Sequence, residues 1–153
     1  MTETTELAPP RDAVQRRRDT EHRLAHDIDL WVASTSGDEP YLVPLSFDWD
    51  GEAVLLSTAI KSVTGRNLAR TGTARLALGH TRDVVMVDGD VVVLPMDALS
   101  TDAADRFARR AGFDPREDEG YAWFRITPRR IHAWREVNEL AGREIMRDGR
   151  WLA

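Results

Sequence analysis

The segment Leu56-Ser57-Thr58-Ala59-Ile60-Lys61-Ser62-Val63-Thr64-Gly65-Arg66-Asn67-Leu68 holds the densest set of groups that could do chemistry together. An apolar run ends in two hydroxyls, Ser57 and Thr58. A short link then carries Lys61, the one lysine among 21 basic residues. Ser62 suits a helix N-cap, and the turn after it brings Thr64, Arg66 and Asn67. The start of a helix exposes backbone N–H groups that lack internal acceptors, and its dipole end is positive, so both favour an anion. Hydroxyls together with Lys61 and Arg66 complete the donor set of a phosphate site, since charge-assisted hydrogen bonds are the strong ones. The glycine spacing is not that of a Walker loop. A capped surface helix with two solvated cations is the plainer reading of the same residues.

Other groupings point less far. His22 and His26 are spaced like two metal ligands on one helix face, but Arg23 stands where a zincin needs glutamate and no third ligand is evident. No metal site is expected. His80 and Asp83 lack a nucleophile elbow, which excludes the usual hydrolase reading. The acidic run from Asp114 to Glu119 has no EF-hand pattern. Arg16-Arg17-Arg18 sits among Asp12, Asp19 and Glu21 and reads as a solvated helix face. The five tryptophans alternate with apolar strand residues, as core or interface anchors do.

The elements that must position these groups are mostly strands. A helix is expected from Pro10 to about Asp27, with Pro10 in its first turn and a stripe through Val14, Arg17/Arg18, Leu24 and Ala25. The period then changes to two. Leu30 to Thr35 and Tyr41 to Trp49 read as strands around a turn at Ser36–Pro40. Tyr41, Val43, Leu45, Phe47 and Trp49 share one face, expected to be core. Leu42, Pro44, Ser46 and Asp48 share the other, and a proline inside a strand implies an edge or a bulge. Asp50-Gly51, Asp88-Gly89 and Asp148-Gly149 each read as a tight turn between strands. Strands are expected at 52–58, 73–79, 84–87, 91–94, 121–126 and 130–136, the last two separated at Pro128. Helices are expected at 62–71 and 100–111, each closed by glycine. Seven or eight short strands at this spacing specify an antiparallel barrel or sandwich, and no βαβ series or GxGxxG is present.

The bulk composition agrees. A chain of 153 residues fits one domain, here 10–153 behind a flexible polar N-terminus at 1–9. A net charge of −5 offers no global basic field, so no nucleic-acid partner is expected. There is no cysteine, hence no disulfide, thiol nucleophile or cysteine-type zinc site. No apolar run is long enough for a membrane span and no signal peptide is visible, so the default compartment is the cytoplasm.

The stretches "VPLSFDWDGEAVLLST" and "GRNLARTGTARLAL" resemble the pyridoxamine 5′-phosphate oxidase-like superfamily, the flavin-binding split barrels. So do "LWVASTSGDEPYLVPLSF" as a first hairpin, and "TRDVVMVDGDVVVLP" and "RITPRRIHAWRE" as later strands, over roughly residues 25 to 137. The closing "NELAGREIMRDGRWLA" is similar to a tail of actinobacterial members. The resemblance implies an antiparallel Greek-key split β-barrel with a few flanking helices, assembled as a homodimer with cofactor sites at the subunit interface. It implies FMN or the deazaflavin coenzyme F420 as cofactor and a small-molecule substrate. Carried onto this sequence, the phosphate meets Ser57, Thr58, Lys61, Ser62, Thr64, Arg66 and Asn67. The ring lies along Pro44-Leu45-Ser46, and Trp134 approaches from the late strands of either subunit. Relatives commonly carry lysine two residues before the "RN" arginine, where this chain has Thr64. The arginine–histidine signature for gripping pyridoxamine phosphate is missing, so vitamin B6 oxidation is not expected. Redox chemistry would belong to the cofactor, and no catalytic side chain is named. The alternatives are a non-catalytic flavin- or deazaflavin-binding or storage protein, and a cofactor-free β-barrel interaction domain. A polyanionic deazaflavin tail would also call for a basic groove, for which Arg66, Arg70 and Arg75 are the candidates.

Overall fold

The computed structural model describes residues 6–153. Of the N-terminal segment 1–9, residues 1–5 therefore lie outside the described residues. Just beyond them, the Ala8 carbonyl accepts a hydrogen bond from Asn138 Nδ2 at 2.8 Å.

Helix α1 (Ala13–His26) leads into β1 (Asp29–Ser36) and β2 (Glu39–Ser46), then a short β3 (Asp48–Trp49) and β4 (Val54–Ala59). Helix α2 (Val63–Thr71) follows, then β5 (Thr73–His80), β6 (Asp83–Leu94) and α3 (Thr101–Ala111). The long β7 (Tyr121–Trp134) and the pair β8 (Glu144–Arg147) and β9 (Arg150–Trp151) complete the chain. All strands pair antiparallel in the order β2-β1-β5-β6-β7-β4-β3, with β8 and β9 added beside β7. The sheet curls into a half-barrel, so β2 and β4 approach one another across an unpaired seam. As its proline implied, β2 is an edge strand.

The core fills the inside of the curl, with Leu24, Val32, Phe47, Leu56, Leu68, Leu76, Val87, Phe124 and Ile131 fully buried. A second apolar layer lies on the outside, where Ala104 and Phe107 of α3 cover Leu55 and Trp123. Asp48 fixes the same helix: it is buried and accepts from Arg106 Nε at 2.7 Å and Arg110 Nη1 at 3.3 Å. Among the described residues no helix is long and apolar enough to cross a membrane.

Several local expectations are corrected. Helix α1 starts after Asp12, whose carboxylate accepts from the Gln15 N–H at 2.8 Å, so Pro10 lies outside it. Its buried stripe is Arg16, Thr20 and Leu24, whereas Val14 is exposed. Arg16 is thus not part of a solvated face. Its guanidinium donates to the carbonyls of Ala133 at 3.1 Å and Glu139 at 2.9 Å, which tie α1 to the chain after β7. Arg11 reinforces that tie. It donates to buried Glu139 from its backbone N–H at 2.8 Å, from Nε at 3.1 Å and from Nη2 at 2.8 Å. Tyr41 was expected in the core but is largely exposed; Val43, Leu45 and Trp49 are half-buried and Phe47 is fully buried.

Asp50-Gly51 and Asp148-Gly149 do turn the chain, the latter with positive φ at both residues. Asp88-Gly89 does not. It lies within the continuous strand β6, and the β5–β6 hairpin is instead closed where His80 pairs with Asp83. Pro128 likewise does not divide β7. The two features face each other: Gly89 pairs with Pro128 while Asp88 pairs with Arg130, which leaves Arg129 as the extra residue of a β-bulge. Gly89 is required there because a Cβ would sit 2.7 Å from the Thr127 carbonyl oxygen. A bulge absorbs both a proline without an N–H and a glycine without a side chain, so neither ends a strand.

Candidate functional site

The β4–α2 junction is built by tight local bonding. Ser62 caps the helix: its Oγ accepts from the Gly65 N–H at 3.0 Å and donates to the Ala59 carbonyl at 2.7 Å. The Ile60 N–H donates to the Gly120 carbonyl at 2.9 Å, pinning the link against the entrance to β7. Gly65 lets the helix settle on the strand end, since a Cβ would lie 2.3 Å from the Ala59 carbonyl oxygen. The helix closes at Gly72, whose φ of 66° is the left-handed conformation glycine accepts without strain.

This junction is electrostatically one-sided. Its first turn contains no acidic residue. The backbone N–H groups of Val63 and Thr64 find no acceptor among the described residues. Lys61 and Arg66 are exposed, and among the described residues neither forms an ion pair. The chain otherwise neutralises many of its cations: Arg11, Arg23, Arg75, Arg82, Arg106, Arg116, Arg125 and Arg130 all pair with carboxylates. Two free donors, two unpaired cations and a positive helix end make an anion the natural ligand of this turn.

The seam gathers further residues named from the sequence. Contacts join α2 to both β2 and β4, and β2 to β4, so the elements that carry Thr58, Thr64, Asn67 and Pro44-Leu45-Ser46 meet at the seam, while Pro44 itself lines a separate groove with Asp29, Trp31 and Ala77. The outer edge of β2 is unpaired and offers backbone donors and acceptors to whatever lies there. Leu45 turns towards the core and Pro44 is exposed. Ser46 Oγ donates to Asp29 Oδ1 at 2.6 Å. Asn67 is buried and donates from Nδ2 to Ser34 Oγ at 3.1 Å, so Ser34 is a neighbour of the site that no sequence pattern marked. Thr64 is also buried, at 3% exposure, and brings no charge.

Two residues are not brought in. Successive strand residues point to opposite faces, so Ser57 and Thr58 leave β4 on opposite sides. Ser57 is buried and its hydroxyl donates to the Ala122 carbonyl at 2.9 Å. Trp134 lies at the far end of the 14-residue β7 from Tyr121, the residue that pairs with Ala59 beside α2. One chain therefore does not place Trp134 over the α2 turn. Arg75 also stands apart: Nε and Nη2 grip Asp88 at 2.6 and 3.0 Å, in a groove to which α2 contributes no lining residue.

The histidine pair on α1 stacks at 4.1 Å between ring centroids, with His26 Nδ1 2.8 Å from the His22 carbonyl oxygen. Among the described residues no three His, Asp or Glu side chains are placed to hold a metal ion.

The sequence pattern described as pyridoxamine 5′-phosphate oxidase matches residues 24–135, from the end of α1 through β7. The chain belongs to the pyridoxamine 5′-phosphate oxidase family. No protein of curated function matches it in sequence. Solved structures share the split-barrel fold of this family member at low identity. An F420 reductase is 17% identical with a TM-score of 0.61, over 72% of this chain and 94% of that one. An FAD-binding protein from Mesorhizobium loti is 16% identical with a TM-score of 0.62, over 75% and 89%. A haem storage protein from Vibrio cholerae is 12% identical with a TM-score of 0.61, over 81% and 99%. At such identities the likeness establishes the fold, and function has to be argued from the site.

Proposed function

We propose that this chain binds a flavin-type redox cofactor, FMN or F420, by a phosphate at the first turn of α2, and serves as an oxidoreductase acting on a small molecule. The observation that carries the reading is that turn: unclaimed N–H groups at Val63 and Thr64 beside unpaired Lys61 and Arg66, within a chain of this family. The residues fit such a group. Lys61 and Arg66 would hold phosphate oxygens with the two backbone donors, while Ser62, committed to capping, keeps the turn rigid. The unpaired edge of β2 at Pro44–Ser46 would orient the ring. When bound, the cofactor supplies the hydride or electron chemistry, and the protein positions it and shields one face.

The same reading includes a homodimer. Trp31, Leu42 and Pro44 are exposed on neighbouring positions of the sheet's outer face, where Trp31 pairs with Pro44 and Ala33 with Leu42. A second copy would cover this apolar patch and carry its Trp134 towards the seam.

A second reading, binding without turnover, draws on Thr64. Its short, buried, neutral side chain leaves the phosphate turn with two side-chain cations only.

The test is a pair of titrations following tryptophan fluorescence, one with FMN and one with F420. Saturable binding of one, lost in Lys61→Ala or Arg66→Ala, supports the site and names the cofactor. Absence of binding of both at tens of micromolar, about −6 to −7 kcal/mol, would sink it and leave a cofactor-free barrel domain. Turnover with the reduced cofactor then separates an enzyme from a binding protein.

A further inference from the structure

The bulge in β7 has a consequence for the outer surface. An inserted residue in a strand re-aims its neighbours, and here Arg129 and Arg130 both reach the same groove. The groove has a volume of about 390 Å³ and is also lined by Arg75, Asp88, Ser34 and Thr73. Arg75 and Arg130 approach Asp88 from two sides. Arg75 spans both its oxygens at 2.6 and 3.0 Å, and Arg130 takes Oδ2 from Nε at 3.2 Å and Nη2 at 2.8 Å.

Asp88 is largely buried between them, and the Arg75 hydrogen bond, with help from Arg130, holds its carboxyl down at about 2. It therefore stays ionised and acts as a bracket that fixes two guanidinium planes. Each of those groups keeps an Nη1 uncommitted. Arg129 is half-exposed, and its one ion pair is a long one, 3.5 Å to the exposed Asp90. Three guanidinium groups thus line the groove, two of them sharing the carboxylate of Asp88 and the third paired at long range with Asp90.

We propose that this groove is an oxyanion site that takes the phosphoryl group of a small metabolite. A planar carboxylate is satisfied by one guanidinium fork. The free Nη1 groups of Arg75 and Arg130 and the guanidinium of Arg129 approach the opening from different sides, as a tetrahedral group with several charged oxygens needs, and the hydroxyls of Ser34 and Thr73 supply further donors. No residue of α2 lines this groove, although Ser34 borders both and Arg75 lies in the cross-strand row of Leu42 and Ala33.

The experiment is a titration of the full-length, isotope-labelled protein with inorganic pyrophosphate, following the arginine Nε–H resonances by NMR. Saturable shifts of Arg75, Arg129 and Arg130 are expected. Arg129→Ala should weaken binding roughly tenfold, because it removes a charge-assisted contact without disturbing the Asp88 bracket. Arg129→Lys should fall between the two, since it keeps the charge and loses the fork. Lys61→Ala with Arg66→Ala should leave the shifts of Arg75, Arg129 and Arg130 unchanged. No saturable shift, equal affinity in Arg129→Ala, or loss of the Arg75, Arg129 and Arg130 shifts in the Lys61/Arg66 variant would overturn the proposal. Citrate binding as tightly as pyrophosphate would overturn the phosphoryl assignment.

Discussion

Glutamine in place of Glu139 tests whether the polar clamp between the two ends of the chain is a source of stability. Glu139 is 2% exposed and accepts four hydrogen bonds, three from Arg11 and one from the Arg135 N–H at 2.8 Å. Those bonds, the Arg11 side chain foremost, depress its carboxyl from 4.5 to about 2. A depression of that size corresponds to roughly 3 kcal/mol of stabilisation near neutral pH. Because the folded value lies below the unfolded one, the stabilisation is complete above the unfolded value and is lost as pH falls through the folded one. By linkage it should shrink from about 3 kcal/mol near neutrality to about half that at roughly pH 3. Glu139→Gln keeps the shape but removes the charge and turns an N–H towards other donors. Urea unfolding of both proteins across that range should therefore show a gap of about 3 kcal/mol that narrows by about half on acidification. A gap that stays constant with pH, or one under about 1 kcal/mol near neutrality, would refute the reasoning.

Three further outcomes follow from particular contacts. Gly65→Ala drives a Cβ to 2.3 Å from a backbone oxygen that cannot swing away, so it should cost at least about 2 kcal/mol and lower the melting temperature by several degrees. The same change at Gly89 should relax or abolish the bulge, for a Cβ there meets the Thr127 carbonyl oxygen at 2.7 Å; loss of stability with altered Arg129 and Arg130 resonances would be the signature. Thr20 Oγ1 is buried and has no hydrogen-bond partner among the described residues, so Thr20→Val, nearly equal in volume, should stabilise the chain by about 1 kcal/mol in urea unfolding.

The alternation of apolar residues, the serine and glycine caps of α2 and α3 and the edge proline of β2 are local signals, and local signals were enough to indicate an antiparallel barrel or sandwich with three helices, while the curl itself was decided by strand pairing. The capped start of α2 at Lys61–Asn67, on which the proposed phosphate site rests, was legible for the same reason, because a helix start and its cap are set by adjacent residues. Asp88-Gly89 and Pro128 failed as signals because each permits a turn and a bulge equally, and the choice was made by strands facing one another across the sheet. Arg16 looked like surface because its partners are backbone carbonyls more than a hundred residues away, which no periodicity can reveal. Residue types and spacing thus determined which elements form. Only the tertiary structure decided that Ser57 turns away from the α2 turn, that Trp134 is distant from it within one chain, and that two consecutive arginines enter one groove. Those outcomes depend on strand pairing and burial between distant segments, and sequence neighbours do not encode them.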